Sequence, residues 1–180
     1  MEVKQVFIPD LLIIQPDVFT DSRGYFFETY NKQKFKQFGL DYEFLQDNQS
    51  LSSKGTLRGL HFQNPPFDQG KLVSVIKGSV LDIAVDIRKD SQYYGKYFSL
   101  VLSENNKTMF WIPPGFAHGF LSLENDTIFV YKCSQVYNKT SEGSIRWNDP
   151  DLNISWGNNS PVVSIKDQEA PLFKHFISMF

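Results

Sequence analysis

Val80-Leu81-Asp82-Ile83-Ala84-Val85-Asp86-Ile87 alternates with period two. The odd positions are all large aliphatics, while the even positions carry both aspartates. Successive side chains of a strand point to opposite faces, so this stretch is a strand with one apolar and one polar face. The same signal spreads outward through Lys71–Ile76, Tyr97–Leu102, Met109–Ile112, Gly119–Leu123 and Thr127–Val136. Turn formers separate these runs: Lys77-Gly78, Glu104-Asn105-Asn106, Pro113-Pro114-Gly115 and Glu124-Asn125-Asp126. Short strands at about ten-residue spacing predict an antiparallel sandwich or barrel over residues 55–140. The first fifty residues and the tail after Ser141 are expected to pack around it. Helical periodicity is scarce; its best candidate is Lys32–Gly39, with Phe35 and Phe38 three apart.

With Lys77-Gly78 as a two-residue turn, residues 71–76 would pair with 79–84 in a hairpin. Lys71, Val73 and Val75 would then share a face with Val80, Asp82, Ala84 and Asp86, and Lys71 would lie diagonal to Asp82. Two accounts fit that pair: a surface salt bridge, or charges converging on a ligand at a barrel mouth.

Composition narrows the function. The chain has 180 residues with Lys+Arg 18 against Asp+Glu 20, a net charge of −2, which disfavours a general polyanion binder. No nucleic-acid or membrane partner is expected. The single cysteine can form no internal disulfide and completes no thiolate-rich zinc site. The start lacks a basic segment followed by an apolar run, and a cytoplasmic location is expected. Most of the 17 Phe are expected in the barrel core.

Only three histidines occur, His61, His118 and His175, with no His-x-His pair. That disfavours the multi-histidine metal centre common in such barrels, and no metal or cofactor is expected. His61 and His118 remain as acid/base candidates, against the plain alternative of hydrogen-bonded structural residues. Arg58 and His61 would face opposite ways in a regular strand, but a bulge at Gly59 could turn both inward.

Several motifs, taken in order, resemble the dTDP-4-dehydrorhamnose 3,5-epimerase family. They are Asp21-Ser22-Arg23-Gly24-Tyr25-Phe26-Phe27-Glu28, Gln46-Asp47-Asn48, Arg58-Gly59-Leu60-His61-Phe62-Gln63, Gln69-Gly70-Lys71-Leu72-Val73, Gly78–Arg88, Trp111–Phe120 and Gly143–Pro150. The resemblance covers about residues 17–167. It implies an all-β fold with short helices: a cupin-type double-stranded β-helix jelly roll with an N-terminal strand extension and a short C-terminal helical segment. It further implies one domain over 1–180, a homodimer, no cofactor, and a dTDP-sugar substrate inverted at C3 and C5.

Carried over by motif, His61 would be the general base and Asp167 its orienting carboxylate. Lys71 would stabilise the enolate oxygen, and Tyr131 would donate the proton from the opposite face. Arg23, Glu28, Gln46, Asn48, Arg58, His118, Tyr137, Glu142 and Lys166 would bind substrate, Tyr137 by stacking on thymine. Arg23 and Glu28 would act across the dimer. Gln49, where histidine is common in the family, and the loop Asn64–Asp68 depart from the pattern. Rivals are a single-site 3- or 5-epimerase, a sugar-nucleotide ketoisomerase, a non-catalytic carbohydrate-binding jelly roll and a metal-dependent cupin oxygenase.

Overall fold

A computed structural model describes residues 1–180. In chain order the elements are β1 (Glu2–Gln5), β2 (Leu12–Gln15), β3 (Phe19–Asp21), β4 (Gly24–Phe26), α1 (Lys32–Gln37), β5 (Gln46–Ser52), β6 (Thr56–Gln63), β7 (Lys71–Lys77) and β8 (Ser79–Asp86). They continue with β9 (Tyr97–Ser103), β10 (Met109–Ile112), β11 (Phe116–Ser122), β12 (Thr127–Cys133), β13 (Glu142–Ser144), β14 (Val162–Val163), α2 (Ile165–Gln168) and a 3-10 turn at Phe173–His175. One sheet runs β1-β2-β10-β7-β12-β5 and the other β13-β6-β11-β8-β9, with β14 alongside β6. This is the expected jelly roll. No helix is long and apolar enough to cross a membrane.

The two sheets face each other across one buried cluster. Val73, Val75, Phe110, Ile112 and Phe129 come from the first sheet, and Val80, Ala84, Leu102, Phe116 and Phe120 from the second. The face predicted for Val80, Asp82 and Ala84 is therefore the inner face. The hairpin predicted at Lys77-Gly78 does not form: β7 and β8 lie in different sheets. Gly78 has φ +78°, and a Cβ there would sit 2.5 Å from Thr127 Oγ1, so the chain turns a corner against β12. Alternation fixes which residues share a face but not which face turns inward or which strand lies alongside.

The outer faces are covered too. Leu57, Leu60, Phe62, Ile83, Val85 and Ile87 are buried under Ile145, Leu152 and Trp156, with Phe173, Phe176 and Phe180 packed against them. On the other sheet, Leu72, Met109 and Trp111 are buried with Ile14, Phe35 and Leu40. The helix at Lys32–Gln37 lays Phe35 onto that layer, and Asn31 caps it by accepting from the Gln33 and Lys34 amides. The buried phenylalanines thus spread over three layers, and Phe7, Phe19, Phe26 and Phe38 are exposed, so most of the seventeen do not gather in the barrel core. Burying a phenylalanine is worth about 1.5–3 kcal/mol, so the outer layers also contribute to holding the sheets. The first fifty residues are also more than a wrapping, since β1, β2 and β5 are strands of one of the two main sheets.

Candidate active site

The site begins with a bulge. On β11, His118 and Phe120 are two apart; on β6 their partners His61 and Arg58 are three apart. The extra residue of β6 puts Arg58 and His61 on the inner face while Leu57, Leu60 and Phe62 stay outside. Gly59 makes this possible: at φ +136°, any Cβ would lie 2.6 Å from Gly119 Cα. The bulge expected at Gly59 is present.

His61 Nε2 lies 2.6 Å from Asp167 Oδ1. Asp167 is placed by α2, a single turn whose N-cap Ser164 accepts from the Asp167 amide. Burial raises the Asp167 carboxyl, but hydrogen bonding and charge from the His61 ring and the Gly59 amide outweigh it and hold the group below its ordinary value. A carboxylate on Nε2 fixes the proton there and leaves His61 Nδ1 as the unprotonated ring nitrogen.

Lys71 opens β7 and is buried, donating from Nζ to the His61 carbonyl at 3.4 Å. Burial pushes its ammonium down, opposed by Cys133, Asp82 and Glu142 in that order. Asp82 forms no ion pair with Lys71. Both its oxygens instead face His118 Nε2, at 3.0 and 3.1 Å. His118 itself stacks near Phe129, with ring centroids 6.0 Å apart at 21°. Burial dominates both partners, raising Asp82 and lowering His118.

Tyr131 lies on β12, in the sheet opposite His61, paired with Val73 and Asn48. Its ring is 6.0 Å from Phe129, and burial raises its phenol. A molecule held between the sheets would meet His61 on one face and Tyr131 on the other.

A polar rim completes the mouth. Gln46 Oε1 accepts from the Tyr137 amide at 2.8 Å, and Tyr137 donates through its hydroxyl to Glu142 at 3.1 Å. Glu142 also pairs with Lys166 at 2.6 Å. Gln46 donates to Asn48, and Asn48 to Cys133 Sγ. Arg58 reaches Ser52 Oγ and the Leu51 carbonyl. Eleven of the sequence-predicted residues thus lie on strands, connecting segments or the short helix α2 at the inner face or its rim; Arg23 and Glu28 do not. Arg23 pairs with Asp21 at 2.6 Å, and Glu28 pairs with Lys34 and Asn31, all on the N-terminal segment.

A groove of about 530 Å³ lies on the outer face of the sheet containing β7 and β12, lined by Tyr25, Phe27, Leu72 and Val130 among others. Tyr131 and Asn48 border it, but His61, Lys71, His118 and Asp167 do not. The converging titratable groups mark the site better than cavity size does. Sequence reading pairs Asp82 only with Lys71 and gives no sign of its bond to His118. It also misses Ser50, whose hydroxyl is buried without a partner between Asn48 and Ser52, because a serine in a polar strand carries no signal. No group of three or more His, Cys, Asp or Glu side chains is arranged to hold a metal ion.

Fold and site together define a cupin-type jelly-roll isomerase working by acid–base chemistry. A profile described as dTDP-4-dehydrorhamnose 3,5-epimerase matches residues 5–175, and the chain belongs to that family. The dTDP-4-dehydrorhamnose 3,5-epimerase of Shigella flexneri is 49% identical over 168 residues, 93% of each chain. The Legionella pneumophila dTDP-6-deoxy-D-glucose-3,5-epimerase, solved with dTDP-4-keto-L-rhamnose, superposes with a TM-score of 0.94 at 43% identity, covering 98% of this chain and 94% of that one. ChmJ of Streptomyces bikiniensis, a 3'-monoepimerase solved with dTDP-quinovose, superposes at 0.89 with 32% identity, covering 93% and 86%.

Proposed function

We propose that the protein inverts C3 and C5 of dTDP-4-dehydro-6-deoxy-D-glucose, giving dTDP-4-dehydro-L-rhamnose. Both carbons flank the C4 ketone, so their protons become acidic once the enolate oxygen is stabilised. His61 Nδ1 takes the proton from the ring carbon; the C–H electron pair becomes the C=C bond, and the C4 carbonyl becomes an enolate. The Lys71 ammonium faces that oxygen, where a preorganised charge in a dry site acts most strongly. Collapse of the enolate then takes a proton from the Tyr131 hydroxyl on the opposite face, which inverts the carbon. His61 ends protonated and Tyr131 ionised, and proton exchange with solvent resets both. The observation that carries this assignment is the placement of His61–Asp167 and Tyr131 on opposing sheets, with buried Lys71 donating to the His61 carbonyl.

Arg58 supplies a planar donor for the diphosphate, and Tyr137, Gln46, Asn48, His118, Glu142 and Lys166 complete the nucleotide-sugar site. Residues 1–180 work as one domain, and the location is cytoplasmic. The working form is a homodimer in which Arg23 and Glu28 reach the partner's site. In its support, the β3–β4 hairpin holds Phe19, Tyr25 and Phe26 58–68% exposed, an apolar patch that a second copy would cover.

The test is incubation with this substrate in D₂O, followed by NMR. Deuterium at both C3 and C5 is expected; exchange at one carbon means a single-site epimerase, the activity named for ChmJ. A migrated carbonyl means a ketoisomerase, and no exchange a binding module. For the dimer, Arg23→Ala and His61→Ala chains, each inactive alone, should regain activity on mixing; no recovery would mean that each chain acts by itself.

A further inference from the structure

Asp82 is the most deeply buried carboxylate beside the proposed site, with no accessible surface. It lies on β8, whose inner face looks into the sandwich between the two sheets. Its two oxygens share one donor, His118 Nε2. That contact fixes the His118 proton on Nε2 and leaves Nδ1 as the free nitrogen of the ring.

The groups that face Lys71 are few. From β12 comes Cys133, opposite it in register, a thiol that burial keeps protonated at neutral pH. From β8 comes Asp82, and from β13 Glu142, already paired with Lys166. The groups that face His118 are Asp82, Lys71 and His61. A lone ammonium in such a dry place is driven toward its neutral form, and a lone carboxylate likewise. Asp82 is thus the one negative group facing Lys71 that no other Lys or Arg neutralises.

We propose that Asp82 is a positioning residue for the enolate-stabilising lysine: it supplies the counter-charge to Lys71 inside the barrel and orients His118 beside it. Asp82 touches no reacting atom; it acts through these two neighbours. The inference rests on the role given to Lys71 above, so its test includes a readout that needs no turnover.

The Lys71 side-chain amine is followed by NMR in ¹⁵N-lysine protein, its signal identified by loss in Lys71→Met. In Asp82→Asn, a near-isostere that still accepts from His118, the Lys71 titration should move down by about one to three pH units, the effect expected of one adjacent opposite charge. The alkaline limb of kcat should move down with it, while KM stays within about threefold. At a pH above that limb, moving it down by one pH unit lowers the rate about tenfold. Asp82→Glu, which returns the charge, should restore both titration and limb. His118→Gln, which removes the ring and keeps the charge, should lower kcat and leave the limb in place. A role in stability alone would lower the melting temperature and leave the Lys71 titration unmoved, and that result overturns the proposal. If Asp82→Asn does not fold, His118→Gln decides: a limb that shifts with Asp82 still present overturns the proposal. If the wild type shows no epimerisation but Lys71 still responds to Asp82→Asn, the counter-charge stands and the assigned reaction is what fails.

Discussion

His61–Asp167 and His118–Asp82 are the same pair of residue types, set side by side where His61 and His118 pair across β6 and β11. Both histidines turn Nε2 to their carboxylate. Their surroundings differ. The His61 side chain is 34% exposed at the mouth, and Asp167 also takes the Gly59 amide. The His118 side chain is 8% exposed and Asp82 wholly buried, with no second donor to the carboxylate. One carboxyl is held below its ordinary value, the other above it. Identity of the pair does not set its chemistry; access to water and the count of donors do. The open pair suits a base that must meet substrate and exchange protons. The closed pair suits a positioning role away from bulk water.

The largest effect that would separate the two is loss of the base. His61→Ala should reduce deuterium exchange at the ring carbons by on the order of 10²–10⁴-fold while dTDP binding, measured by calorimetry, persists. Near-normal turnover in that variant would break the distinction, since the open pair would then do no chemistry. A smaller and more specific loss is expected at Tyr131. Tyr131→Phe should retain exchange from the His61 face yet form inverted product on the order of 10²-fold more slowly; unchanged product formation would remove Tyr131 as donor.

The subtlest contrast is in acid stability. Because the folded-state pKa of Asp167 is lowered, its charge stabilises the fold above the unfolded carboxylate value of about 4. That contribution is lost as pH falls through the lowered folded value. The stability gap between wild type and Asp167→Asn, measured by urea unfolding, should therefore close below about pH 4. A raised carboxyl such as Asp82 has the opposite sign, its ionisation opposing folding as pH rises through the ordinary range. A gap at Asp167 that stays constant down to low pH would show the two carboxylates to be alike.

Much of the barrel is legible in the sequence because strand alternation is a local property. Val80–Ile87 declares its two faces, and Met109–Ile112 matches the observed strand to the residue. β5 is not legible as a strand of the main sheet. Its sequence, QDNQSLS, is almost wholly polar, since its inner side chains line the rim of the site and its outer ones face solvent. The bulge at Gly59 is readable because an unwanted face for His61 and a glycine coincide.

The sequence by itself determined which side chains share a face, the residue types available for acid–base work, and, through motif order, the family. Tertiary structure alone decided who meets whom. Lys71 and Asp82, expected on neighbouring strands of a hairpin, reached the same interior from opposite sheets, and Asp82 went to His118 instead. Alternation is set by the backbone of one strand, whereas pairing between sheets depends on how a corner at Gly78 and a bulge at Gly59 bend the chain. The same two features decide how dry each charge becomes, and with it which histidine can act as a base.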